Sequence, residues 1–222
     1  MDVRRGRAMG FLKDASGVKS TLSGLRSYSD ELGLNLSRPE DRFKWFIASM
    51  LFAKRISSEI AKKTYKRFEE EGLTTPKRIL EVGWDRLVEV LDSGGYVRYD
   101  FSTASNLQEA VEKLLEDYGD LEGLYASSDG PRDLERRLME LKGVGPVGVN
   151  IFLRELRGVW EKADPLPSKI AEVVGNRVGV DDVRPYESAL VRLKFEYCKK
   201  RLCNVCPMNE WCREVKGETN RV

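Results

Sequence analysis

Histidine is absent from all 222 residues. That absence excludes Ser-His-Asp and Cys-His nucleophilic arrangements and any histidine-ligated metal, and it leaves acid–base work to carboxylates, lysines or tyrosines. No run approaches the eighteen apolar residues of a membrane span, so no membrane partner is expected. The chain opens Met1-Asp2-Val3-Arg4-Arg5-Gly6-Arg7, charged and broken by glycine where an export segment would be apolar. A cytoplasmic setting among reductants is therefore expected. Long alternating apolar–polar runs are missing too, which argues against a sheet. Glutamine occurs once, at Gln108, against 38 Lys+Arg and 36 Asp+Glu, a balance that points toward a thermophilic source.

All four cysteines fall in one short window: Cys198, Cys203, Cys206 and Cys212, spaced C-x4-C-x2-C-x5-C. In a reducing compartment such a group reads as metal ligands rather than disulfides. Thiolates are soft donors and suit an iron–sulfur cluster or zinc. Zinc sites usually offer two C-x2-C knuckles or added histidines. Only Cys203 and Cys206 form a knuckle here, so the spacing favours a [4Fe–4S] cluster, with zinc as the rival.

The net charge of +2 does not announce a nucleic-acid partner, but its distribution is uneven. Residues 1–26 hold Arg4, Arg5, Arg7, Lys13, Lys19 and Arg26 against Asp2 and Asp14, and Lys199, Lys200 and Arg201 adjoin the first cysteine. Such patches meet phosphates or form solvated faces. The rest of the pattern is helical. Residues 41–53 are apolar nearly all round and predict a buried central helix containing Trp45 and Phe46. Residues 57–70 predict an amphipathic helix. Thr75-Pro76 starts another, and Ser93-Gly94-Gly95 ends the run that follows. Helices are also expected over 102–118, 132–141 and 147–156. The expectation is an all-α protein of about ten short helices.

Leu141-Lys142-Gly143-Val144-Gly145-Pro146-Val147 joins two amphipathic helices through a G-x-G turn. Glycines there allow a tight bend, and the N–H groups at the following helix N-terminus favour an anion such as a DNA phosphate. A plain helix–helix corner is the alternative.

This segment, followed by Asp164 and then by the four cysteines, resembles the endonuclease III superfamily of helix-hairpin-helix DNA glycosylases. Residues 43–54 resemble that family's helix leading to its DNA-facing loop, and Gly95-Tyr96 its glycine–aromatic turn. The resemblance covers roughly residues 38–213. It implies a two-lobed helical fold, with one lobe over 38–146 and a second over 1–37 plus 147–222 that carries the cluster loop, 198–212. It implies base-excision repair on double-stranded DNA with a damaged or mismatched base, by a monomer working with a prokaryotic nucleoid. Lys142, Gly143, Val144, Gly145 and Val147 would contact DNA, as would Lys54, Arg55, Lys199, Lys200 and Arg201. A side chain of the Lys54-Arg55-Ile56 loop would fill the vacated stack. Tyr96 and Tyr99 would line a base pocket. Asp164 would be catalytic, and Cys198, Cys203, Cys206 and Cys212 would hold the cluster.

Three departures stand out. The lyase members carry a lysine where this chain has Val147, which implies a monofunctional, water-using enzyme; a displaced lysine such as Lys142 and a catalytically idle DNA-binding protein are the alternatives. The aspartate falls at Asp164, or Ser168 takes its slot if the alignment is anchored on Asn176-Arg177. The first cysteine gap is four residues where the best-known members have six.

Overall fold

The computed structural model describes residues 15–214. Arg4, Arg5, Arg7 and Lys13 of the basic N-terminal patch lie outside them. The described residues form twelve α-helices and no strand, as the missing alternation predicts. They divide into two compact units, residues 28–166 and residues 15–27 with 167–214.

The larger unit is built around α3 (Pro39–Phe52), which is buried along nearly its whole length. Its apolar residues leave no polar face, so neighbours must surround it. α4 (Ser58–Glu70) and α10 (Pro146–Arg154) pack directly on it. Trp45 and Phe46 are fully buried, as expected; the Trp45 indole N–H donates to the Phe152 carbonyl at 3.2 Å, and the Phe46 and Phe152 rings meet edge to face. α2 (Tyr28–Glu31) precedes α3. α5 (Pro76–Glu81), α6 (Trp84–Ser93) and α7 (Asp100–Tyr118) close one side, and α8 (Leu121–Ala126) and α9 (Pro131–Glu140) complete the unit. Thr75 caps α5 by accepting from the Arg78 N–H, as its sequence position predicts, and Ser57 caps α4 by accepting from the Ile60 N–H. Gly94 lets α6 approach α4 closely, because a Cβ there would lie 2.5 Å from the Thr64 Cα.

The smaller unit packs α1 (Ala15–Ser23) and α11 (Lys169–Val178) on α12 (Glu187–Leu193) around Leu22, Ala171, Val174 and Leu190. α12 continues into a π-helical turn, Lys194–Cys198, that delivers the first cysteine.

The boundaries differ from the expected cuts at 38 and 146. α10 follows the hairpin in sequence, but Phe152 and Leu153 are buried in the core that α3 organises. Burial of those side chains keeps the chain with the larger unit as far as Leu166.

Candidate functional site

The hairpin connects α9 to α10. Leu141 leaves the helical conformation, the Val144 N–H donates back to the Leu141 carbonyl, and Gly143 adopts φ +77°. A side chain at Gly143 would be strained by that angle. It would also lie 2.7 Å from the Cβ of Asn106 on α7. Val144 turns its side chain into the core, so only its backbone is left to meet a ligand. Gly145 is the N-cap of α10 and supplies no capping side chain, and Pro146 brings no N–H. The N–H groups of Val147 and Gly148 thus have no intrahelical partner; Val147 is exposed and Gly148 is buried, so the Val147 N–H is the donor open to an anion, and the helix dipole adds to its attraction.

Two further segments converge on α10. A Cβ on Gly148 would touch Ala53 at 3.7 Å, which sets the hairpin beside the Lys54-Arg55 loop. Ile56 packs on the core while Arg55 is exposed. On the other side, the Asn150 amide donates to the Leu166 carbonyl at 3.1 Å, and the Arg157 guanidinium donates to the Pro165 carbonyl at 2.6 Å. These bonds fix the loop carrying Asp164. The Asp164 side chain is 51% exposed, with Arg157 Nε 3.8 Å from Oδ1. On α9, burial and then the negative charge of Asp164 push the Glu135 carboxyl up, with Arg132 opposing. The structure therefore groups the hairpin, the Lys54-Arg55 loop and Asp164 around one helix. Asn106, Asn150, Arg157 and Glu135 belong to that grouping and were not read from sequence. Glu135, on α9, and Arg157, in the turn after α10, look like ordinary charged positions in a chain rich in them, and only tertiary packing distinguishes them.

Lys142 is exposed, with Glu109 of α7 at 3.5 Å. Tyr96 is 0% exposed and donates its hydroxyl to the Leu51 carbonyl at 3.0 Å. Burial pushes its phenol up. This corrects its assignment to a base pocket: Tyr96 is a core residue with no surface to offer. Tyr99 is half-buried, edge-on to Tyr96, with the Arg98 guanidinium 5.5 Å over its ring. Ser168 is the N-cap of α11. It accepts from the Ala171 N–H and donates its own N–H to the buried Glu187 carboxylate at 2.7 Å.

In the smaller unit, Cys198, Cys203, Cys206 and Cys212 are all free thiols. Burial pushes the Cys198 and Cys206 thiols up, and the charges of the neighbouring cysteines add to it. Among the described residues no group of three or more histidine, cysteine, aspartate or glutamate side chains is arranged to hold a metal ion. The donor set nonetheless fits an iron–sulfur cluster by its chemistry: four thiols of one segment, none spent in a disulfide. Arg201 takes a left-handed conformation at φ 56° between the first two cysteines and, with Lys199 and Lys200, is exposed. No helix of the described residues is long and apolar enough to cross a membrane.

No family model matches the chain. It is 22% identical over 194 residues to "Putative DNA repair glycosylase MJ1434" of Methanocaldococcus jannaschii, covering 78% of this chain and 86% of that protein. A non-covalent endonuclease III–DNA complex superposes with a TM-score of 0.51 at 23% identity, over 81% of this chain and 86% of the other. A trapped endonuclease III–DNA covalent intermediate gives 0.50 at 23% identity over the same shares. A thermostable thymine-DNA glycosylase gives 0.52 at 15% identity, over 91% and 94%. The chain thus has the helical fold shared by endonuclease III and thymine-DNA glycosylase.

Proposed function

We propose that the chain is a monofunctional DNA glycosylase that hydrolyses the N-glycosidic bond of a damaged or mismatched base flipped from double-stranded DNA. The observation that carries this reading is the grouping around α10: an anion-attracting helix N-terminus, an exposed carboxylate on a pinned loop, and Val147 where an amine nucleophile would be needed. The DNA repair glycosylase and the DNA complexes among the similar proteins support the glycosylase part of that reading.

Flipping costs roughly a few kcal/mol of lost stacking and pairing. A phosphate contact at the Val147 N–H, with Lys54, Arg55 and Lys142 nearby, would offset part of it. Lys199, Lys200 and Arg201 would add contacts from the smaller unit. As the base departs with the bonding electron pair, positive charge develops on the sugar. The Asp164 carboxylate would stabilise that charge and take a proton from the attacking water, whose oxygen bonds to C1′. The departing base, left with the electron pair, would take up that proton, so the products are free base and an abasic site and the Asp164 carboxylate is restored. Valine has no amine, so no Schiff base can form at Val147. Tyr99 is the remaining candidate for stacking on the base.

Cys198, Cys203, Cys206 and Cys212 would hold a [4Fe–4S] cluster. Bound there, it would supply structural cross-linking that shapes the basic turn at 199–201.

A panel of duplex oligonucleotides, each with one lesion or mismatch, tests the proposal. Alkali-labile sites without a borohydride-trapped adduct are expected. A trapped adduct lost in Lys142→Ala would establish a lyase with a displaced lysine. Binding without base release on every duplex would establish an idle protein.

A further inference from the structure

Leu166 is 81% exposed and Val147 is 62% exposed, the former among the most exposed large apolar side chains described. They are not scattered. Val147 and Asn150 lie one turn apart on one face of α10, and Asn150 holds the Leu166 carbonyl at 3.1 Å. Leu166 is flanked by Pro165 and Pro167, which restrict its backbone on both sides. The Pro165 carbonyl is held as well, by Arg157. A leucine presented to water on so constrained a loop is placed for contact rather than left over from packing.

Its surroundings say what it would touch. On one side stands the N–H of the exposed Val147, which suits a phosphate. On the other, two residues back, stands Asp164. In a nucleotide, the group joining the phosphate to the bond that is cleaved is the deoxyribose, whose C2′ position carries only C–H. We infer that Leu166 and Val147 form an apolar wall for the deoxyribose of the flipped nucleotide, and that this wall discriminates against ribose. The inference rests on the glycosylase reading above. A 2′-hydroxyl pressed on the wall would lose its water without gaining a partner, which is costly. That hydroxyl is the group by which proteins tell RNA from DNA.

The test is equilibrium binding of the full-length protein, by fluorescence anisotropy, to three duplexes: undamaged, with one tetrahydrofuran abasic analogue, and with that analogue bearing a 2′-hydroxyl. The wild type is expected to prefer the tetrahydrofuran duplex over its hydroxylated counterpart by about tenfold. Leu166→Ser should reduce that ratio to about twofold or less, and Leu166→Met should keep it. The exposure of Leu166 makes unfolding of either variant no obstacle, and circular dichroism checks it. An unchanged ratio in Leu166→Ser, or an equal loss of affinity for all three duplexes, would overturn the wall and leave the glycosylase reading standing. A wild type with no preference for either abasic duplex over undamaged DNA would remove both.

Discussion

At the scale of single residues, the proposed chemistry turns on Asp164 and on Val147. Val147 is exposed at the first turn of α10, so Val147→Lys introduces an ammonium without burying it. If the sugar docks there, the variant should gain a borohydride-trapped adduct with abasic duplex that the wild type lacks, read as a shifted band on a denaturing gel. Glu135 offers a second check. Its carboxyl is pushed up, so its ionisation opposes folding at neutral pH. A group raised in the folded state contributes stability only below its unfolded value and loses it as pH rises through the folded one. Glu135→Gln should therefore raise the melting temperature at neutral pH. The gain should fade as pH falls below the ordinary glutamate range, as a pH series of thermal melts would show.

At the scale of elements, the hairpin is the part whose geometry is least forgiving. Gly143→Ala combines a left-handed backbone angle with a Cβ 2.7 Å from Asn106, and one of the two must move. A loss on the order of 1–3 kcal/mol in folding stability is expected from denaturant melts, with a larger proportional loss of DNA affinity if the turn shifts. Much of this was legible beforehand. The apolar run around Trp45, the Thr75-Pro76 start and the G-x-G corner each carry a local physical signal, and each became the element it predicts. Tyr96 was misread because a glycine–aromatic pair looks alike whether the ring faces a ligand or the core. Its bond to the Leu51 carbonyl spans a distance that no local pattern encodes. Asn150 and Arg157 were silent for the same reason, since a side chain that holds a loop sixteen or eight residues away leaves no periodicity.

At the scale of the whole molecule, two units divide the proposed labour: the larger carries the hairpin and Asp164, the smaller the four thiols and the basic turn. The cysteine window is legible from spacing alone; the four thiols are free, and among the described residues they are not drawn together as a metal site. The domain cuts were misplaced because sequence marks the hairpin as a punctuation point, whereas burial of Phe152 and Leu153 ties α10 to α3. Purified under reducing, anaerobic conditions, the protein should be brown, with about four irons per chain by elemental analysis. Stoichiometric zinc instead would show that the thiols serve a zinc site.

The central claim is that one carboxylate beside the hairpin drives base release by water. Single-turnover excision by Asp164→Asn and Ser168→Ala, on whichever lesion the wild type accepts, tests it most directly. Asp164→Asn should slow base release on the order of 100-fold or more while retaining DNA binding, and Ser168→Ala should stay near the wild-type rate. A fully active Asp164→Asn, or a collapse confined to Ser168→Ala, would contradict it.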